Sequence, residues 1–371
     1  MLNRLDKTVI LLIANIENGD LNMDYKRADE IIRRTKSMYD AGKGALIQVK
    51  DISGIKVPTR ALDSFGLPDN METYLDYLVE NQRLFWKTRE QVLDDIIPSL
   101  TARYGIAEHS AFMGGEVSFT ENTSWHHKYI EDYSNYTLAK VDETNIWRNL
   151  VIEGMRYLKN KVKDEFFIRY RGADGPLDIV NALRGNDIFY DFYDEEEGLM
   201  ELASKCTDAI IYMLKQQQSI VTEYKGFVIS GFDVIMPKGY AGHLSVDATT
   251  MLSDEMFRQF EIPFLQRIAD NFDGLFFHIH SVGSHVIPAV CEIDKIKFLE
   301  ISNDPNAPRS IEIYKKYEDV LSEKTVIVTL NQEEIIDYTS FLKDKKVIVW
   351  YDAKNLEDAK KAVDLVRTRL G

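Results

Sequence analysis

Apolar and polar residues follow one another in blocks whose spacing separates helices from strands. Residues 24–39 place apolar side chains three and four positions apart, as in an amphipathic helix. Between such blocks lie short apolar runs without polar alternation, which are typical of strands buried on both faces. The predicted strands are residues 45–49, 111–119, 166–170, 226–235, 244–248, 275–280, 296–301, 326–330 and 347–350.

Helices are predicted between most of these strands. Ser253 is a suitable N-cap because acidic residues follow it in the first turn of a helix that runs to residue 269. Pro263 is expected to kink that helix. The other predicted helices are residues 74–95, 145–159, 177–183, 198–217, 286–291, 310–318, 333–341 and 356–369.

The alternation of strands and helices predicts parallel βαβ units and an α/β fold. Because the strands are short and apolar throughout, we predict a closed TIM-type (β/α)8 barrel rather than an open sheet. Residues 1–371 are expected to form one domain, with residues 1–44 as an N-terminal helical extension. The chain has no G-x-G-x-x-G after its first strand and no P-loop, so no nucleotide cofactor is expected.

The balance of charge bears on the expected partners. The formal net charge is -15, which argues against nucleic acid, because phosphate neutralisation dominates that affinity. It also argues against an anionic membrane surface, and the apolar stretch at residues 9–13 is too short to span a bilayer. The two cysteines, Cys206 and Cys291, do not suggest a disulfide framework. A cytoplasmic location is therefore expected.

Two histidines close the apolar run at residues 275–277. His278 and His280 are two positions apart, so on a strand their side chains point to the same face. Ser281 and Gly283 follow, in a loop of small residues where α/β barrels place their chemistry. The pair is suited to hold a metal, a carboxylate or a proton. The alternative is that one histidine bonds a backbone carbonyl while the other faces solvent.

Other polar residues also follow predicted strands. His243 and Asp247 share one face of an extended segment and would form an acid/base pair, metal ligands, or a loop histidine with a capping aspartate. Asp174 lies in a glycine-rich turn, where it is either catalytic or bonded to its own backbone. Arg171 is the candidate anion clamp, because a guanidinium can bind a carboxylate through two hydrogen bonds. Asp233 is a further candidate carboxylate.

The last predicted strand and one loop complete the set of candidates. Tyr351 leaves the strand at residues 347–350 at the end where a barrel carries its site. The loop at residues 120–136 is rich in aromatic residues, among them Trp125. This loop either lines the site of a flat ligand or packs as a cap on the barrel.

Several motifs together resemble the uroporphyrinogen decarboxylase superfamily. Residues 175–194 contain, in order, Gly-Pro-Leu, Leu-Arg-Gly and Asp-Phe-Tyr-Asp. Residues 252–265 contain Leu-Ser, a later phenylalanine and Ile-Pro-Phe-Leu, similar to a helix of that superfamily. The pair His278 and His280 falls where members carry a strand with His-x-Cys or His-x-Asp. The resemblance covers residues 175–301 and implies a barrel of alternating helices and strands.

This resemblance implies one of two chemistries, and the chain departs from both. The decarboxylases bind substrate carboxylates through an Arg-Gln-Ala-Gly-Arg motif, which residues 45–60 lack. The thiol methyltransferases transfer a methyl group between a corrinoid carrier and a thiol, with zinc held by His-x-Cys and a later cysteine. Here His280 stands at the first cysteine position, and no cysteine follows the last strand. A nitrogen and oxygen site from His278, His280 and a carboxylate remains.

The leading hypothesis is a member of the methyltransferase-like branch that performs metal-assisted methyl transfer. It would act on a small organic substrate or a corrinoid carrier protein, with zinc at His278 and His280. The alternatives are a cofactor-free decarboxylase of a porphyrinogen-like acid and a non-catalytic ligand-binding barrel. The residues predicted to be catalytic are His278, His280, Asp174 and Asp233. The residues predicted to bind substrate are Arg171, His243, Asp247 and Tyr351.

Overall fold

The first helix contacts the first strand of the sheet. The computed structural model describes residues 23–55, 57 and 59–371, so residues 9–13 and the first half of the predicted extension lie outside it. Helix α1 covers Tyr25–Ala41, and the Asp24 side chain accepts a hydrogen bond from the Arg27 amide at 3.1 Å. Its buried residues include Ala28, Ile31 and Ile32, which confirms the predicted apolar stripe.

Fourteen α-helices are found among the described residues. After α1 they are α2 (Met71–Arg89), α3 (Ile146–Val162), α4 (Pro176–Arg184), α5 (Ile188–Asp194), α6 (Glu196–Gln218), α7 (Asp254–Phe260), α8 (Ile262–Ala269), α9 (Ile287–Glu292), α10 (Ser310–Lys316), α11 (Glu318–Leu321), α12 (Gln332–Asp337), α13 (Thr339–Leu342) and α14 (Leu356–Leu370). Ser253 caps α7 as predicted, accepting from the Met256 amide at 3.1 Å. The expected kink is a break at Glu261, and Pro263 lies in the first turn of α8, where its missing N–H costs little.

The strands are short, and most belong to one sheet. They are β1 (Gly44–Ile52), β2 (Ser99–Leu100), β3 (Val117–Phe119), β4 (Ser124–His126), β5 (Phe167–Ile168), β6 (Ala173–Asp174), β7 (Phe227–Ile229), β8 (Ile235–Pro237), β9 (Tyr240–Ser245), β10 (Gly274–Ile279), β11 (Ile296–Ile301), β12 (Thr325–Thr329) and β13 (Lys346–Ala353). Seven of them form a parallel sheet in the order β1-β13-β12-β11-β10-β9-β6. The protein is therefore an α/β protein, as its pattern predicts.

The register of the sheet sets which side chains stand together. His278 on β10 is opposite Glu300 on β11 and Ser245 on β9. Asp174 on β6 is also opposite Ser245. Because all seven strands run in the same direction, the residues that follow them collect at one edge of the sheet.

A separate parallel pair joins β2 to β5. The segment before β2 contacts β1, since the Asp95 amide donates to the Ile47 carbonyl at 2.7 Å. The side chains of Asp94 and Asp95 also accept from the amides of Val49 and Ile47, each at 2.9 Å. These bonds explain why α2 ends at Arg89, six residues before the predicted end at residue 95, because both aspartates bind β1 instead of continuing the helix.

Three of the predicted strands are wrong in part. Residues 111–119 begin with a 3-10 turn, and Gly114 and Gly115 have positive φ angles of 116° and 89°, so only β3 remains extended. Residues 226–235 form one arm and the turn of an antiparallel hairpin, β7–β8, rather than one strand. The third, residues 244–248, is displaced: β9 ends at Ser245, and Asp247 opens a 3-10 turn.

The buried core lies between the sheet and its surrounding helices. Leu275, Phe276 and Phe277 on β10 are all fully buried, as are the apolar residues of β11 and β12. This agrees with strands covered on both faces. Within the part of the chain that the structure describes, no helix combines the length and apolar character needed to cross a membrane.

Candidate functional site

The two histidines at the end of β10 share a face, as their spacing predicts. The ring centroids of His278 and His280 are 5.0 Å apart, with the planes nearly perpendicular. His278 belongs to the strand itself, while His280 is the first residue after it and precedes the 3-10 turn of residues 281–286. The strand end therefore presents two imidazoles side by side.

Each of these imidazoles has its own carboxylate partner. Nδ1 of His278 is hydrogen-bonded to the Glu300 side chain, which is buried on β11. Nδ1 of His280 lies 2.7 Å from Oδ1 of Asp304. The Ser281 hydroxyl holds Asp304 in place by donating to Oδ2 at 2.8 Å. With Nδ1 engaged, the Nε2 atom of each ring is left for another partner.

Asp247 completes what we call the histidine cluster, defined as Asp247, His278 and His280. Its Oδ1 atom lies 3.4 Å from Nε2 of His280. One ligand atom from each of the three residues lies within 4.8 Å of the other two. The Asp247 side chain is 63% exposed, so the cluster opens toward solvent on this side. Two imidazoles and a carboxylate are a donor set for zinc or a similar divalent cation.

The charges around the cluster favour protonated imidazoles when no cation is bound. Burial lowers the pKa of His278, but the adjacent Glu300 carboxylate outweighs it and the pKa is raised above its usual value. Contact with Asp247, followed by the bond to Asp304, raises the pKa of His280 to about 9. Burial opposes the change at Asp247, yet its contact with His280 lowers the pKa of that carboxyl.

Two more carboxyl groups lie beside Asp247. Asp178 on α4 accepts hydrogen bonds from the backbone amides of Asp247 and Ala248, at 2.7 and 2.8 Å, and so fixes the turn that carries Asp247. Burial and the charge of Asp247 raise the pKa of Asp178 well above its usual value. The same two causes raise the pKa of Asp174 to about 7. Asp174 is therefore able to give or take a proton near neutral pH.

A cavity of about 760 Å³ opens over these carboxyl groups. Asp174, Asp178 and Asp247 all line it. Aromatic and apolar side chains form much of the remaining wall, and several of them are exposed: Trp125 is 52% and Tyr190 72% exposed. The aromatic loop predicted at residues 120–136 thus contributes Trp125 to this wall. A cavity of this size and lining suits a small organic molecule.

His243 is buried near His278. Its ring stacks on Phe232 with centroids 3.9 Å apart and lies 6.4 Å from His278. Burial, and then the nearby His278, lowers the pKa of His243 well below its usual value. Its Nδ1 atom has no hydrogen-bond partner among the described residues. The structure therefore brings His243 close to His278, but as a neutral ring packed against an aromatic one.

The other predicted residues lie outside the histidine cluster. Nε of Arg171 donates to the buried carboxylate of Glu108, so this guanidinium already has an anionic partner. Asp233 pairs with Lys50 at 2.9 Å and Arg169 at 3.3 Å. The Tyr351 hydroxyl donates to Asp358 of α14 at 3.1 Å. Its neighbour Trp350 lies on the opposite face of β13 and donates to Gln48.

Three residues that hold the site together were not predicted from the sequence: Glu300, Asp304 and Asp178. A signal existed for Glu300, since a carboxylate inside the apolar run of residues 296–301 needs a buried partner. Asp304 and Asp178 are separated from their partners by 24 and 69 residues. Only the pairing of strands and the placement of α4 bring those residues together.

Comparisons with known proteins add no assignment to this geometry. No family model matches the chain, and a search of curated proteins found no match. The geometry of the site and the motifs in the sequence are therefore the basis for inferring a function.

Proposed function

We propose that this protein is a metal-dependent enzyme built on a TIM-type barrel, and that it performs methyl transfer on a small organic substrate. Asp247, His278 and His280 would hold one divalent cation, with zinc as the first candidate. The observation that carries this proposal is the pairing of both imidazoles with carboxylates through Nδ1. Histidines that bind metals through one ring nitrogen almost always donate the other to a carboxylate, a carbonyl or water.

The barrel is inferred from a circle of backbone contacts. The seven-stranded sheet has β1 at one end and β6 at the other. The segment before β2 is hydrogen-bonded to β1, and β2 pairs with β5. Strand β6 begins five residues after β5 ends, and it pairs with β9. These contacts connect the two end strands of the sheet, β1 and β6, through β2 and β5, which supports a closed barrel. In a closed parallel barrel, the histidine cluster lies at the C-terminal face, where barrel enzymes place their sites.

The residues of the chain have separable roles in this proposal. A bound cation would act as a Lewis acid toward a reacting oxygen, nitrogen or sulfur of the substrate. The cavity lined by Trp125 and Tyr190 holds the organic part of the substrate and limits its contact with water. Asp174, with a pKa near 7, gives or accepts the proton that the reacting atom exchanges. Asp178 keeps Asp247 in place through the backbone.

Methyl transfer is proposed because the chain resembles the methyltransferase-like branch of the uroporphyrinogen decarboxylase superfamily in residues 175–301. The donor set differs from that branch, since both protein nitrogen donors are histidines and the third donor is an oxygen. A corrinoid carrier protein remains the proposed methyl-group partner. The exposed rim of the cavity leaves room for a large donor to approach.

Decarboxylation without a cofactor is the second candidate. The raised pKa of Asp174 favours it, because such a reaction needs a carboxyl group that protonates the substrate. The anion clamp predicted for it, Arg171, is paired with Glu108 instead of being open to a ligand. The two candidates differ in one respect that is simple to measure, since only the first requires a cation.

The test is a zinc titration of protein that has been freed of metal with a chelator. We expect one zinc ion per chain, with affinity lowered at least 100-fold, or about 2.7 kcal/mol, in His278→Ala and in His280→Ala. His127→Ala is the matched control, because His127 is exposed and its side chain is hydrogen-bonded to Ser118 rather than to a residue of the histidine cluster. Thermal melts show whether each variant is folded.

Activity is followed with methylcobalamin as the donor and a panel of thiols and amines as acceptors. Methyl transfer that requires zinc supports the proposal. Absence of stoichiometric zinc binding, or equal binding by the two histidine variants, would contradict it. Chelator-resistant release of carbon dioxide from a porphyrinogen-like acid would favour the second candidate.

A further inference from the structure

A second cavity, far more basic than the first, lies on the other side of the β7–β8 turn. Its volume is about 240 Å³. We call it the basic pocket, defined by the four cationic side chains that line it: Lys50, Arg89, Arg103 and Arg169. These residues come from β1, from the end of α2 and from the segments that follow β2 and β5. The fold therefore gathers four cations from four separate parts of the chain.

The carboxylates nearby do not balance these cations. Asp233 also lines the pocket and pairs with Lys50 and Arg169. Arg89 pairs with the buried Asp94 at 2.5 Å, but the same carboxylate also forms an ion pair with Arg27 at 2.9 Å. Four cations against two carboxylates leave an excess of two positive charges before Arg27 is counted. Buried or half-buried cations are stable only when anions compensate them.

Several donors in the pocket lack acceptors. The Arg89 side chain is only 2% exposed, and its Nε atom has no hydrogen-bond partner among the described residues. Nε of Arg169 is also buried without a hydrogen bond; it lies 3.3 Å from Asp233 Oδ1, but not in hydrogen-bonding geometry. Across the described residues, the exposed Arg103 side chain forms neither a hydrogen bond nor an ion pair. A buried donor without an acceptor destabilises the fold, so the Nε atoms of Arg89 and Arg169 each lack a stabilising partner.

The cations also repel one another. Burial, reinforced by the nearby Arg103 and Arg171, lowers the pKa of Arg169 from its usual value despite the opposing effect of Asp233. The presence of Arg103 beside Arg169 is therefore unfavourable unless an anion lies between or beside them. Arginine side chains present paired N–H groups that match the oxygens of phosphate and carboxylate.

We propose that the basic pocket binds a small oxyanion, either a free one or the phosphate or carboxylate group of a ligand. The cavity is smaller than the roughly 300–1,000 Å³ typical of drug-sized ligand sites, so it accommodates one such group and little else. The pocket shares no residue with the histidine cluster, so its anion binding is measurable on metal-free protein.

The test uses inorganic phosphate and succinate as probes, titrated calorimetrically at constant ionic strength. The full-length protein is first treated with a chelator, so that an anion on a bound metal is not mistaken for one in the pocket. Arg103→Gln removes one cation from the pocket at an exposed position and should leave folding intact. Arg33→Gln is the control, because it removes an exposed cation on α1 that does not line the pocket.

We expect one anion per chain, with affinity at least tenfold lower in Arg103→Gln and unchanged in Arg33→Gln. Preference for phosphate or for succinate identifies which group the natural ligand carries. The proposal is overturned if neither probe binds at millimolar concentration. It is also overturned if Arg103→Gln binds as well as the unaltered chain, or if Arg33→Gln weakens binding equally. Failure of zinc binding leaves this result unaffected, so the two proposals fail separately.

Discussion

The histidine cluster and the basic pocket flank the same turn, and two adjacent residues of that turn contact them. Phe232 contacts the first region, with its ring 5.4 Å from that of His278. Asp233 contacts the second through its ion pairs with Lys50 and Arg169. Around the cluster, each imidazole has a carboxylate of its own, and Asp247 brings the carboxylates to three against two imidazoles. In the pocket, cations are in excess and some of their donors have no acceptor.

This difference shows what each region lacks. A bound cation would neutralise the acidic excess around His278 and His280, whereas a bound anion would neutralise the excess positive charge of the pocket. Both assignments follow from the same rule, that charges removed from water need partners of opposite sign. The protein's net charge of -15 does not reveal the local excess of positive charge in the pocket, because the basic residues of the pocket are few and come from distant segments.

The largest effect is expected from Phe232→Ala, which removes the ring between the two regions. The ring stacks on His243 at 3.9 Å and contacts Trp350 at 5.7 Å. Because Phe232 is only half-buried, its loss should destabilise the fold by about 2–3 kcal/mol in urea unfolding, less than the roughly 3–5 kcal/mol of a fully buried phenylalanine. Binding of zinc and of phosphate should each change by less than about threefold, since no ligating atom is removed. Phe232→Leu, which keeps an apolar side chain, should lose less stability. Loss of both ligands would mean that the two regions form one site.

The carboxylates behind the histidines provide the next test. Glu300→Gln and Asp304→Asn keep the size of each side chain but remove its charge. Each should lower zinc affinity about 10- to 100-fold, the range found for outer partners of metal ligands. Asp337→Asn is the control, because it changes an exposed acid remote from the cluster. Competition with a chromophoric chelator measures the affinity. Unchanged zinc binding in both variants would show that these carboxylates only stabilise the fold.

A smaller effect, of opposite sign, is expected at the basic pocket. Asp233→Asn removes the carboxylate that occupies Lys50 and Arg169, so phosphate or succinate should bind roughly three- to tenfold more tightly. Zinc affinity should stay the same. The calorimetric titrations that test the pocket measure both quantities. Weaker anion binding would mean that Asp233 orients the cations rather than competing with the ligand.

The smallest effect concerns the pH dependence of the metal-free protein. The pKa of His280 is about 9 in the fold and about 6.5 in an unfolded chain, because Asp247 and Asp304 favour the protonated ring. This contribution to stability is therefore fully present below pH 6.5 and is lost as the pH rises through 9. Urea midpoints of the metal-free protein should fall over this range, and less steeply in His280→Gln. Parallel curves for the two proteins would contradict the assigned pKa.

Long buried strands were the part of the fold that the sequence predicted best. Residues 275–280 and 296–301 were predicted as strands, and β10 and β11 cover Gly274–Ile279 and Ile296–Ile301. The agreement arises because an unbroken apolar run indicates a strand that is buried on both faces. The hairpin at residues 227–237 was predicted as one strand, because a single glycine, Gly231, is also compatible with a bulged strand. Asp233, at a φ of 62°, helps to turn the chain there, and a non-glycine residue with a positive φ angle is not predictable from the sequence.

The candidate site was predictable only where its residues are close in sequence. The spacing of His278 and His280 predicted a shared face, and the structure places their rings 5.0 Å apart. The carboxylates that bond these histidines come from β11 and the loop after it. They could not be predicted, because a single sequence does not reveal the register between two strands. The basic pocket was not predicted at all. Its cations are separated by up to 119 positions, from Lys50 to Arg169, and none of them belongs to a motif.

The central claim is that two imidazoles and one carboxylate hold a metal. X-ray absorption at the zinc edge, on chelator-treated protein reloaded with one equivalent of zinc, tests it most directly. We predict a shell of nitrogen and oxygen at about 2.0–2.1 Å, with the outer scattering of two imidazoles in the unaltered protein and of one imidazole in His280→Ala. A sulfur shell at about 2.3 Å, or a spectrum without imidazole, would contradict it.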